Sequence, residues 1–315
     1  ALSTVFLRSS MQRYIVHRLL QGIVLLFCVA IIVFALGRLT GNPTDLMLPE
    51  DATPEDRARL TAVLGLDRPY YEQLYRFLAG AVRGDLGQSI RYRQPTVEIF
   101  FDRLPNTLRL VPVAIGLAVA MAIPLGVISA VYRGSLIDRI GSVIAVVGAA
   151  MPGFWLGIGL IYIFSVSLGV LPSARMGGPE HYILPAITLG TFAVAGLTRL
   201  VRSSMLETLD AEYVKLARIK GLSERLVIWK HCLRNAMIPV LSLFGVLIAL
   251  LVTGAIVTET VFAWPGVGRL AYEAVIFRDY PLLQAVIILK AIIVLCVNLA
   301  IDILYAYVDP RIRYS

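Results

Sequence analysis

The sequence predicts an all-α integral membrane protein with six transmembrane helices. Of its 315 residues, 58% are hydrophobic and only 16% are charged, whereas soluble domains average about 45–50% apolar and about 25% charged residues. Apolar runs of roughly twenty residues, the length that a helix needs to cross a bilayer, recur along the chain. We place these six runs at 19–39, 107–131, 140–166, 183–200, 238–258 and 282–305.

The basic residues beside these runs predict the orientation. The net charge is +8, but the Lys and Arg side chains lie in short loops and do not form one basic face, which argues against a nucleic-acid partner. Because cytoplasmic loops are enriched in Lys and Arg, we expect the side that carries them, with both termini, to be cytoplasmic. With six spans, that side holds Arg8, Arg13, Arg18, Arg133, Arg139, Arg202, Lys215, Arg218, Lys220, Arg225, Lys230, Arg234, Arg311 and Arg313.

The chain divides at the ends of the predicted spans. Residues 1–10 form an N-terminal extension, and 11–40 hold the first span. Residues 41–104 contain eight Arg and ten Asp or Glu but no run long enough to cross, so we expect a small ordered cap on the extracytoplasmic side. Residues 105–308 form a five-helix core, and 309–315 form a cytoplasmic tail.

Four prolines inside or at the edges of the runs leave two interpretations open. Pro112, Pro124, Pro152 and Pro185 are either ordinary constituents of membrane helices, where neighbouring helices satisfy the freed backbone groups, or kinks in helices that line a pathway.

The loop between the fourth and fifth spans, within 209–239, has the most informative pattern. Apolar and basic residues alternate up to Gly221, which we expect to adopt a left-handed conformation and end a short helix. A second helix then leads into the fifth span. Small Ala217 and Gly221 would let a partner backbone approach closely, and the basic residues would pair with acidic groups on that partner. The alternative is a helix that is solvated or lies on anionic lipid.

This loop resembles the cytoplasmic coupling motif of ABC importer permeases. The broad form of the motif is Glu-Ala-Ala, three residues and Gly; in register, Ala217 and Gly221 match it, whereas Lys215 and Leu216 depart from it. The peptide and nickel branch of the family has its own version. The chain is similar to that version at Glu212, Tyr213, Val214, Ala217, Arg218, Lys220, Gly221, Leu222, His231, Leu233, Arg234, Asn235, Ala236, Ile238 and Pro239.

Further stretches resemble the same branch, in the same order, so the resemblance covers 11–313. They are 11–15 at the start, 64–69 and 84–87 in the cap, 105–108 at the second span, 182–185 at the fourth, 259–268 after the fifth and 309–313 in the tail.

The resemblance implies a type I ABC importer permease fold and a translocation subunit without chemistry of its own. The sequence lacks the Gly-x-x-x-x-Gly-Lys-Ser/Thr loop that cradles ATP phosphates. We therefore expect no cofactor on this chain, with ATP and Mg²⁺ bound by two partner ABC ATPase subunits. The other expected partners are a second homologous permease subunit, an extracytoplasmic solute-binding protein and the lipid of the bacterial inner membrane.

In this family the coupling helix fits a cleft on the ATPase, and the resemblance places it at 209–236. The expected substrates are di- and oligopeptides, moved by alternating access; nickel, a nickel chelate or glutathione is the alternative. The resemblance assigns ATPase coupling to Glu212, Tyr213, Ala217, Arg218, Lys220, Gly221, Leu222, Arg225, His231, Arg234 and Asn235.

Four other residues are candidates for a pathway or gate. Ionisable side chains at membrane depth cost about 2.5–3.5 kcal/mol on insertion scales, which singles out Arg109 and Lys290, although Arg109 can also snorkel to the interface. Glu259 and Trp264 belong to the loop after the fifth span, where a plain structural turn is the alternative. No metal site is predicted, because the histidines lie in separate segments: His17, His181 and His231.

Two other functional classes lack their signatures in this sequence. An ion-coupled carrier predicts inverted repeats and acidic residues at the membrane midplane. An intramembrane enzyme predicts His-Glu-x-x-His or a serine and a histidine at matching depth. Neither pattern occurs here.

Overall fold

The computed structural model describes residues 2–39, 53–63 and 65–308. In these ranges the chain folds into α-helices and loops, and one isolated bridge joins Gln88 to Pro95. Two π-helical segments each follow a short α-helix directly: π1 (Ile161–Ser167) follows Gly153–Leu160, and π2 (Val227–Cys232) follows Glu224–Leu226. The α-helices are α1 Leu2–Leu39, α2 Pro54–Val63, α3 Tyr70–Val82, α4 Thr96–Val131, α5 Leu136–Ala150, α6 Gly153–Leu160, α7 Glu180–Leu209, α8 Glu212–Ile219, α9 Glu224–Leu226, α10 Leu233–Val261, α11 Val267–Ile276 and α12 Tyr280–Val308.

The described helices include the apolar spans that the sequence predicts. The predicted first, second, fourth and sixth spans each lie in one unbroken helix: Val16–Arg38, Thr96–Val131, Glu180–Leu209 and Tyr280–Ile301. The third and fifth are present if each of two bent pairs is one crossing: Leu136–Gly148 with Gly153–Ser167, and Glu224–Leu241 with Val246–Val252. The all-α membrane fold is thus confirmed, with four to six spans by length and composition.

The predicted third span, 140–166, is not one straight helix. Its halves are bent by 103° where Met151, with an extended ψ of 125°, precedes Pro152. The proline ring disfavours helical geometry in the residue before it. Pro185, by contrast, lies inside the continuous α7, as Pro112 and Pro124 lie inside α4. Of the four prolines considered above, Pro152 alone stands at a break.

The helices pack in two units, the first formed by the described residues of 1–105 and 266–315. In it α12 packs along α1 and α11, and α3 contacts α1. Between membrane helices, close van der Waals packing and not the removal of apolar surface from water stabilises such a core. One buried cluster in this unit comprises Ile99, Phe100, Val267, Leu270, Ala271, Ala274, Leu282 and Val286.

Buried Asp279 joins the loop before α4 to the start of α12 within this first unit. Its carboxylate accepts hydrogen bonds from the amides of Ile90 and Arg91, both at 3.1 Å, and from the hydroxyl of Ser89. It also accepts the amide of Leu282 at 3.2 Å, so it satisfies an N–H group in the first turn of α12. A charged acceptor with this many donors is well compensated for its burial.

The second unit is formed by 106–265, and α7 is its central helix. It packs against α5, α6 and α10. The guanidinium of Arg202 donates two hydrogen bonds to Asp138, at 2.7 and 2.8 Å, in the bidentate geometry that favours arginine. Ser135 caps α5 by accepting the amide of Asp138 at 3.3 Å. This ion pair, which the sequence analysis does not predict, joins α5 to α7.

Two of the other predicted segments lie largely in the described residues, and one lies outside them. The predicted extension falls within α1, which begins at Leu2, and the predicted cap contains α2 and α3. The predicted tail, 309–315, lies outside the described residues.

Candidate functional site

The loop between α7 and α10 folds, as predicted, into a short helix, a glycine turn and a second helix. The first helix, α8, is followed by Gly221 with a φ of +77°. The amide of Gly221 donates to the carbonyl of Arg218 at 2.9 Å, and the amide of Leu222 donates to that of Ala217 at 3.3 Å. These two bonds define a Schellman motif, in which a left-handed residue ends the helix. The predicted conformation of Gly221 is confirmed.

The two faces of α8 differ in exposure. Val214 and Ala217 are buried within the chain, and α8 packs on π2. Leu216 and Ile219 are exposed, Ile219 with 81% of its surface open. Clustered exposed apolar side chains are typical of a surface that another protein covers. Ala217 therefore packs against its own chain, whereas Leu216 and Ile219 present apolar surface outward.

Side-chain hydrogen bonds brace α8 on both sides of the glycine turn. The amide of Asn235 donates to the hydroxyl of Tyr213 at 2.8 Å and to the carbonyl of His231 at 3.0 Å. The guanidinium of Arg218 donates to both carboxylate oxygens of Glu224, at 2.8 and 3.4 Å. The first contact joins α8 to the start of α10, and the second joins it to α9. Side chains as well as the backbone thus link α8 to α10.

The remaining predicted coupling residues lie along the same segment. The ammonium of Lys215 donates to Glu212 at 2.7 Å, and this hydrogen bond raises the pKa of Lys215. The charge of Lys215 is thus paired with Glu212 of the same helix. Among the other predicted coupling residues, the exposed ones are Lys220, Arg225 and Arg234. Leu222 and His231 are half-buried.

Glu259 and Trp264, the predicted gate residues after the fifth span, are both fully buried. With Asn106, Thr107 and Tyr182 they form what we call the Trp264 cluster. Thr107 donates to the Glu259 carboxylate at 2.7 Å, and the Trp264 indole N–H donates to the carbonyl of Asn106 at 3.0 Å. The ring of Tyr182 meets Trp264 edge-on at 4.7 Å. This satisfied, packed arrangement is what the structural-turn alternative requires, and a gating role stays a prediction.

The two ionisable residues predicted at membrane depth lie in different surroundings. Arg109 is exposed on α4, which suits a side chain that snorkels, and Lys290 is half-buried on α12. No group of three or more His, Cys, Asp or Glu side chains that could hold a metal ion occurs in the part of the chain that the structure describes.

Comparisons with known proteins identify the family. The family model described as binding-protein-dependent transport system inner membrane component matches residues 122–314, and the model of the N-terminal part of such components matches 11–111. The chain belongs to this family. These matches confirm the resemblance drawn from the coupling motif.

Relatives and solved structures extend this assignment. The permease is 41% identical over 306 residues to the glutathione transport system permease protein GsiC of Escherichia coli strain K12, covering 97% of this chain and 100% of that one. It is 40% identical over 319 residues to the oligopeptide transport system permease protein AppB of Bacillus subtilis, covering 96% and 100%. The inward-facing MetNI methionine ABC transporter matches with a TM-score of 0.58 at 20% identity, over 67% of this chain and 96% of that one.

These findings confirm the type I ABC importer permease fold and the prediction that the chain is a permease subunit of an ABC importer. The permease is a multi-pass inner-membrane protein and a translocation component of an ABC importer, not an enzyme. It works with ATPase and permease subunits.

Sequence reasoning missed two features of the permease that bear on its site. One is π2, whose wider turn lies within the predicted coupling segment; π-helical turns often occur at functional sites, but hydropathy carries no signal for them. The other is the contact of Tyr213 with Asn235. Both residues belong to the family motif, yet a motif names positions without showing which of them touch.

Proposed function

We propose that the permease is one of two homologous subunits that form the pathway of an importer for short peptides. A solute-binding protein delivers the peptide outside the cell, and two ATPase subunits, which bind ATP and Mg²⁺, drive alternating access through α8. The observation that carries the coupling role is the exposed apolar face of α8 beside its two side-chain braces. A partner protein binds this exposed apolar surface. The two side-chain contacts then transmit a movement of α8 to α9 and α10.

The relatives support the proposed substrate class. GsiC is named for glutathione transport and AppB for oligopeptide transport, and both kinds of substrate are peptides. Bare nickel, the alternative, prefers clustered imidazole or thiolate ligands. The described residues offer no such group, whereas a chelated metal would need none. Competition between labelled glutathione, dipeptides and nickel for uptake separates these substrates.

Replacing Ile219 with glutamate should abolish most ATP-driven uptake. Ile219 is exposed, so the change leaves the fold intact but places a charge in the proposed interface. Loss of an interface anchor costs about 2 kcal/mol or more, which corresponds to a decrease of about thirtyfold or more in ATPase binding. The measurements are ATPase co-purification and peptide uptake by proteoliposomes that contain the assembled importer.

The matched control is Val170→Glu, which makes the same kind of change at an exposed residue in the loop after π1. It should leave ATPase co-purification at the wild-type level. Equal retention of the ATPase by Ile219→Glu and wild type, with normal uptake, would refute the docking role of α8.

The proposed orientation predicts which exposed loops a membrane-impermeant thiol reagent reaches. Ser173→Cys and Ser223→Cys replace two exposed serines on opposite sides of the proposed topology, in a background without Cys28, Cys232 and Cys296. In intact spheroplasts we expect labelling of Ser173→Cys only, and labelling of both after lysis. Labelling of Ser223→Cys in intact spheroplasts would invert the topology.

A further inference from the structure

We propose that α3 lies at the lipid–water boundary where α1 ends, with Tyr71, Tyr75 and Val82 against lipid. The sequence predicts a cap outside the membrane at these residues. The structure instead packs this helix beside two spans, and its exposed half is chemically divided.

The depth of α3 follows from its contacts within the first unit. Phe77, Leu78 and Ala81 pack on a buried cluster that contains Ala30 of α1 and Ala285 of α12, and the ring centroid of Phe77 lies 5.6 Å from that of Phe34. At 1.5 Å per residue, Ala30 lies about 12 Å before Arg38, where its span ends, and Ala285 about 8 Å after the start of its own. The packed face of α3 thus lies on a cluster whose residues from both spans are below the ends of those spans.

The exposed half of α3 carries two different strips. Successive residues of a helix turn by about 100°, so Tyr71, Tyr75 and Val82 share an arc of about 40°. Their exposed fractions are 76%, 72% and 90%. Glu72 and Arg76 form the second strip, which begins about 60° beyond the first. The packed face separates the two strips on the remaining side of the helix.

The charged side chains of the second strip are joined in ion pairs. Arg76 pairs with Glu72 at 3.2 Å, and Arg68 pairs with the same carboxylate. The hydrogen bond from Arg68 lowers the pKa of Glu72, so this strip is charged at neutral pH. Charged groups avoid the hydrocarbon. This strip therefore marks the side of α3 that faces water.

The aromatic strip has the chemistry of the membrane interface. Tyrosine combines an apolar ring with a polar hydroxyl, and tyrosines are enriched where membrane proteins cross the headgroup region. A helix with one flank charged and the other aromatic is typical of an in-plane amphipathic helix. The position beside the spans and the separation of charge from aromatic rings together favour lipid as the occupant over water or a second protein.

Spin-label accessibility in the assembled importer, in phospholipid vesicles, tests this placement. Nitroxides are attached to Tyr71→Cys and to its neighbour Glu72→Cys in the cysteine-free background. Apolar oxygen and water-soluble chromium oxalate then compete as relaxation agents. We expect oxygen to be the more effective agent at position 71 and chromium oxalate at position 72, a reversal between adjacent residues.

The pair Tyr75→Cys and Arg76→Cys repeats the comparison one turn further on, so failure of one variant to assemble leaves the test intact. Chromium oxalate dominating at positions 71 and 75 would place the aromatic strip in water. Protection of both positions from both agents would mean that a protein subunit covers the strip. Either result overturns the proposal, and neither depends on transport activity or on α8.

Discussion

Replacing Trp264 with alanine should destabilise the permease by about 3–5 kcal/mol, the usual cost of truncating a large aromatic core residue. The side chain is fully buried, and the truncation leaves a cavity against Tyr182. It also leaves the carbonyl of Asn106 without the indole N–H that it accepts at 3.0 Å. The measurement is the fraction of detergent-solubilised protein that stays monodisperse after heating.

Trp264→Phe is the matched control, because it retains an aromatic ring next to Tyr182 and removes the indole donor. Its expected cost is about 1–2 kcal/mol, the range for one hydrogen bond and its unsatisfied partner. If Trp264→Ala is as stable as wild type and has lost only uptake, then the gating role predicted from the sequence is correct and the structural role is wrong.

Hydropathy and motifs predict those features of the permease that depend on residues close together in the sequence. Hydropathy locates spans because each must carry enough apolar surface to enter a bilayer. The coupling motif predicts the turn at Gly221 because glycine adopts a left-handed conformation without a steric penalty, and the structure has it there. Both signals are local in the chain.

Features that depend on tertiary contacts escape such reasoning. Pro152 and Pro185 give the same sequence signal, yet the chain breaks at Pro152 while α7 continues through Pro185. Neighbouring helices decide whether freed backbone groups are satisfied. The aromatic strip of α3 is similar, since only the packing of Phe77 on Phe34 brings this part of the predicted cap beside a predicted span. The pattern of α3 alone fits a soluble amphipathic helix equally well.

Replacing Gly221 with valine should uncouple ATP hydrolysis from uptake. A left-handed conformation costs an ordinary residue about 1–2 kcal/mol, and a β-branched side chain suits it least. A Cβ at this position would meet nothing within 4 Å, so the strain lies in the backbone of the Schellman turn. Opening that turn redirects α8 relative to α9. We expect uptake per ATP hydrolysed to fall about tenfold, which corresponds to about 1.4 kcal/mol.

Two comparisons separate this effect from general strain. Asparagine tolerates the left-handed region better than most residues, so Gly221→Asn should couple almost normally. Gly134, in the turn before α5, has the same φ of +77° and equally open space, so Gly134→Val carries a similar backbone cost away from α8. If Gly134→Val uncouples as strongly as Gly221→Val, backbone strain anywhere suffices. If only Gly221→Val uncouples ATP hydrolysis from uptake, the direction of α8 determines the coupling.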